Sequence, residues 1–243
     1  MISNLSRDEL LVIGARHRAN YMVAQGRYAV GLAAEDPEVA GLAGPEFMAE
    51  MGLTVGKLEM AARDRDLAAT EAKEKTVAQG DAVQAAKVAR RALVHRVLAA
   101  MLRGVKLPAD LGRIMAYGSN PQAIGRDLQR LVELARPHLA ELEPLGITTA
   151  LLDRCAALAG ACGQTDQAQE VARLKKLPEK VQEMYVQKAL VYVGIKQLNY
   201  LGRSVHAEEA GQRARYNLDI LYRRVRRQPV EGPTPIPTPA PPA

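Results

Sequence analysis

A chain of 243 residues with one Phe, eight Tyr and no Trp can bury one sizeable core, or two small ones, built almost wholly from aliphatic residues and Ala. Val and Ile rarely alternate with polar residues, which argues against strands, and no apolar run reaches the ~18 residues that a spanning helix needs. The net charge of +6 is uneven, because residues 82–103 and 212–228 each carry +5 and the rest of the chain is net acidic.

In chain order, Ser3 or Ser6 can cap a first helix, with Asp8 and Glu9 in its first turn. Leu10, Ile13, His17, Tyr21, Ala24 and Tyr28 recur at spacings of three and four, so that helix is expected to reach about Ala34. The N-terminal residues have neither a basic n-region nor an apolar h-region, so no signal peptide and a cytoplasmic location are expected. Asp36-Pro37 restarts a helix, with a break at Gly44-Pro45. Met51-Gly52-Leu53-Thr54 reads as a further break, with Thr54 capping a helix over Thr54–Arg103. Its expected buried stripe is Val55, Leu58, Ala62, Ala69, Ala72, Val83, Ala86, Leu93, Val97 and Ala100, interrupted by Arg65, Thr76, Gln79 and Arg90.

Gly104 ends that helix, and Leu107–Tyr117 holds a short one. Asn120-Pro121 caps the next, which runs to Glu143 with a kink at Pro137. Leu145-Gly146-Ile147-Thr148 breaks the chain, and a helix carrying Leu152, Cys155, Leu158 and Cys162 continues toward Leu177. Pro178 then opens a second long helix, Glu179–Gln228. Its segment Tyr185–Leu201 is apolar nearly all round and is expected to be the central core helix. Pro229–Ala243 is expected to be a disordered, proline-rich tail.

The expectation is therefore an all-α protein: an elongated antiparallel helical bundle on two long helices of about 50 residues, forming one domain over residues 1–228. Leu42-Ala43-x-Pro45 followed by Met51-Gly52-Leu53-Thr54 has an echo in Leu134-Ala135-x-Pro137 followed by Leu145-Gly146-Ile147-Thr148. That echo suggests a degenerate duplication with pseudo-repeats 6–104 and 108–228.

Catalytic signatures are missing. His17, His95, His138 and His206 form no Glu-x-x-His or His-Glu-x-x-His, and His206-x-x-Glu209 reads as an exposed or satisfied helix pair. No phosphate loop or nucleophile elbow occurs. Cys155 and Cys162 lie two helical turns apart, beyond disulfide reach, and read as core residues. No enzyme activity, cofactor, metal or small-molecule substrate is expected. The favoured function is a structural or protein–protein interaction role with self-association. The first alternative is an anionic partner, nucleic acid or a membrane surface, bound by Lys87, Arg90, Arg91, Arg96, Arg223, Arg224, Arg226 and Arg227. The second is a helical pore-former that exposes Tyr185–Leu201.

Overall fold

A computed structural model describes residues 4–112 and 120–222. Among these the regular structure is entirely helical: α1 (Arg7–Gly14), α2 (Ala19–Glu35), α3 (Pro37–Ala43), α4 (Pro45–Leu102), α5 (Pro121–Ala135), α6 (Leu139–Leu142), α7 (Thr149–Val171), α8 (Leu177–Val205) and α9 (Ala210–Arg215). The chain divides into two compact units. One holds Met1–Gly56 with Lys188–Ala243, and the other holds Lys57–Gln187.

Local chemistry sets several helix starts. Ser6 and Glu9 form a reciprocal capping box on α1. Asp36, Asn120 and Thr148 each accept a hydrogen bond from a first-turn N–H of the helix they precede. The first helix does not run through to Ala34, because a turn at Ala15–Arg18 separates α1 from α2.

The first long helix starts at Pro45, nine residues before the expected Thr54. Gly52, Leu53 and Thr54 lie inside it, and the Thr54 hydroxyl bonds back to Glu50 O at 2.7 Å. Met51, Val55 and Leu58 are buried on one side of this stretch, so tertiary packing carries the helix through. Gly146, the counterpart of Gly52 in the sequence echo, is a true break with φ +76°.

The second long helix is also displaced. It begins at Thr149 and reaches Val205, far short of Gln228. Pro178 does not start it. A π-turn at Ala172–Lys176 joins α7 to α8, and the Leu177 N–H bonds to Ala172 O, five residues back. This widened turn takes up Pro178, which has no N–H and whose ring would crowd the preceding turn of an α-helix.

In the Lys57–Gln187 unit, α4 runs antiparallel to α7 and the start of α8. Gln79 meets Asp166, Ala82 O meets Cys162, Glu71 meets Lys176 and Asp64 meets Lys180. Helix α5 is antiparallel to α7, with Gln122 against Asp166 and Arg136 against Asp153. Leu93, Val97, Ile124, Leu128, Leu152 and Cys155 centre the core of this unit. Of the four polar positions expected to interrupt the inner stripe, Arg65 and Thr76 are exposed, and Gln79 and Arg90 are answered from within. Arg90 is buried and paired with Asp127, and Gln79 donates 2.6 Å to the buried Asp166, which also accepts from Gln122 at 3.0 Å.

The other unit packs Met22, Ala29, Leu32, Val39, Met51, Val55, Val191, Ile195, Leu198 and Tyr216. The segment Tyr185–Leu201 is covered on most sides, as its apolar character leads one to expect: no residue from Tyr185 to Lys196 is exposed, and only Gln197 and Tyr200, the latter 62% exposed, open to solvent. Beyond Val205 the chain turns, forms the short α9 and lies back over the unit.

Candidate functional site

One face of α4 lies outside the core. From Ala78 onward an unbroken spacing of three and four runs through Ala78, Asp81, Ala85, Val88, Ala92, His95, Ala99 and Leu102, and all eight are exposed. Val88 is 56% and Leu102 90% exposed. Met60 and Leu67, 66% and 69% exposed, fall on the same heptad position as Val88 further toward the N-terminus, with Glu74 and Asp81 between. Asp81 and His95 apart, this face alternates Ala with larger apolar side chains at the three-and-four spacing that helix–helix contacts use.

The basic residues near this face have different fates. Arg90 is buried against Asp127 on α5, so its guanidinium is committed to a carboxylate. Arg96 is exposed but donates 2.6 Å to Gly146 O, securing the turn before α7. Lys87 is half-buried and Arg91 exposed, one turn apart beside Val88. Arg223, Arg224, Arg226 and Arg227 lie outside the described residues. The structure thus brings Lys87 and Arg91 together on one rim and turns Arg90 inward. No family model matches the chain, and no curated protein or solved structure is significantly similar to it.

The Met1–Gly56 and Lys188–Ala243 unit holds a polar cluster that spacing does not reveal. Asp36, the cap of α3, lies 2.6 Å from His206 Nε2 and accepts 2.7 Å from the Tyr216 hydroxyl. Burial pushes the Asp36 carboxyl upward, but the hydrogen bonds from His206, Tyr216 and the Val39 N–H outweigh it and hold the group at about 2. Burial, and then the hydrogen bond to Asp36, push the Tyr216 phenol up. His206 therefore pairs with Asp36, not with Glu209. Side-chain donors stitch the same returning segment down: Arg203 to Tyr216 O at 2.8 Å, and Asn199 and Gln25 to Asn217 O at 2.9 and 3.0 Å. No linear motif announces this cluster; the one local signal is Asp36-Pro37, which marks a cap and not its long-range partners.

His17 stacks on Tyr192 at 5.3 Å and meets the edge of Tyr222 at 5.7 Å. Burial, with Lys188 and Arg16 nearby, pulls the His17 imidazole below its ordinary value. Burial likewise lowers the ammonium of Lys188 and raises the thiols of Cys155 and Cys162. Among the described residues no helix is long and apolar enough to cross a membrane.

Proposed function

We propose that this chain is a structural, non-catalytic interaction protein that pairs with a second copy of itself through the outward face of α4. The observation that carries this reading is the small–large alternation along Ala78–Leu102. The seam is complementary to itself when two copies run antiparallel about residue 90. Leu102 then faces Ala78, Val88 faces Ala92 and His95 faces Ala85 of the other copy. Each larger side chain meets an Ala, which lets helix axes approach closely along about 37 Å of helix. Such a contact is isologous and closes as a two-fold dimer. Light scattering tests it: a dimer that Val88→Glu converts to monomer supports the reading, and a strict monomer at high concentration overturns it.

The competing reading is an anionic partner, nucleic acid or a membrane surface, and the pair Lys87 and Arg91 favours it. No acidic residue occurs over residues 82–103. Salt separates the two. Binding to a polyanion weakens steeply with salt, whereas a dimer bringing two cationic rims together strengthens as salt screens them.

A further inference from the structure

Asp81 and His95 are the two side chains in the exposed α4 row that do not suit an apolar contact; the other six of the eight are Ala, Val or Leu. An acid and an imidazole covered by a partner helix cost desolvation unless each meets a hydrogen-bonding group. Asp81 is the only acid in the row, and none follows it as far as Arg103. His95 stands two heptads further on, about 21 Å along the helix, so the two cannot pair within one copy.

A second copy brings them together. When two antiparallel copies are related about residue 90, each side chain of the row sits in a hole of four residues on the facing helix. The hole that receives His95 is Asp81, Gln84, Ala85 and Val88 of the other copy, all of them exposed. Asp81 then lies about 6 Å along the axis from the opposite His95, within joint reach of the two side chains. The imidazole N–H donates to the carboxylate, and the two-fold makes the bond twice. A parallel pair in register would do the reverse. It would set Asp81 against Asp81, His95 against His95, and each larger apolar residue against itself.

We propose that the Asp81 carboxylate of one copy and the His95 imidazole of the other form a reciprocal lock that holds two α4 helices antiparallel. The lock rests on the dimer proposed for this face and adds the residues that choose its orientation.

Sedimentation equilibrium of the full chain tests the lock at physiological salt, where exposed charges more than about 8 Å apart are largely screened. Positions 81 and 95 are then close enough to couple only across two copies. Asp81→Lys and His95→Glu each remove the bond and should each weaken the dimer about fivefold, since an exposed pair is lost twice. The double variant restores an opposite-charge pair and should recover most of that loss. Both residues are exposed, and circular dichroism confirms that the helices persist. Single effects that simply multiply in the double variant overturn the lock.

Orientation is read by cross-linking. A mixture of Ala78→Cys and Leu102→Cys chains should form a disulfide between the two variants, with neither variant linking to itself. Cys155 and Cys162 are 0% exposed and do not compete. Self-linking by either variant alone shows parallel copies and also overturns the lock. A parent chain that stays monomeric, or a dimer untouched by Val88→Glu, overturns the α4 contact itself and the lock with it. A dimer that Val88→Glu breaks, but in which 81 and 95 do not couple, overturns the lock alone.

Discussion

The ring of Tyr216 lies flat against the backbone of Gly202: a Cβ on Gly202 would sit 2.3 Å from Tyr216 Cδ1 and Cγ. Because Tyr216 is 1% exposed and its hydroxyl is held by Asp36, the ring has nowhere to move. Gly202→Ala should therefore destabilise the protein by about 1–3 kcal/mol through overpacking. Tyr216→Ala costs stability by itself, but in the Tyr216→Ala background the Gly202→Ala change should be nearly neutral. A double-mutant cycle by denaturant unfolding measures that coupling. Additive effects would mean that the two residues do not press on each other.

Asp36 gives the fold an acid-sensitive fastener. Its carboxyl is held at about 2 in the folded chain against ~3.9 when unfolded. A depressed carboxyl stabilises the folded state fully above the unfolded value, and that stability is lost as pH falls through the folded one. Asp36→Asn keeps a capping side chain but removes the charge. It should cost about 1–3 kcal/mol at pH 7, and its deficit against the parent should shrink between about pH 4 and pH 2. Urea midpoints across that range check the direction; a deficit independent of pH would refute the assignment.

The Arg90–Asp127 pair should respond asymmetrically. Asp127→Ala leaves a buried cation without its carboxylate and should cost about 3–5 kcal/mol, whereas replacing Arg90 by Met and Asp127 by Leu together should cost far less. Thermal unfolding of the three proteins separates these outcomes. Equal losses would show that the pair contributes only as packing.

Cys155 and Cys162 should react with a thiol reagent at the rate of unfolding. Both are 0% exposed, and burial holds both thiols in the protonated form. Native protein should show almost no free thiol over minutes, and protein in denaturant should show two. Rapid labelling of either under native conditions would place it at the surface.

What could be read from the sequence was local. Ser6 with Glu9, Asp36-Pro37 and Asn120-Pro121 mark helix starts because a cap satisfies its own first turn without help from distant residues. The all-helical class followed from the same short-range periodicity. Gly52-Leu53-Thr54 and Pro178 misled because both carry breaker chemistry, while buried neighbours at Met51, Val55 and Leu58, and a π-turn before Pro178, kept the helices going. The contacts of Asp36 with His206 and Tyr216 span 170 and 180 residues, and no spacing rule reaches that far. The buried stripe of α4 was legible, and Val55, Leu58, Leu93 and Val97 are buried as their spacing leads one to expect, whereas the outward row Ala78–Leu102 was not singled out because Ala at three-and-four spacing suits either side of a helix.

A helix that shows so much Ala to its neighbours has a degeneracy of position. Where Ala86 packs, a slide of α4 by one turn past α7 would bring in Ala82 or Ala89, so the local apolar contact would change little. The same slide would move Gln79 about 5.4 Å from Asp166 and Arg90 as far from Asp127, leaving buried polar groups without their partners. The two polar pairs thus act as detents: they add modestly to the depth of the native state, and sharply to the difference between it and its near-copies one turn away.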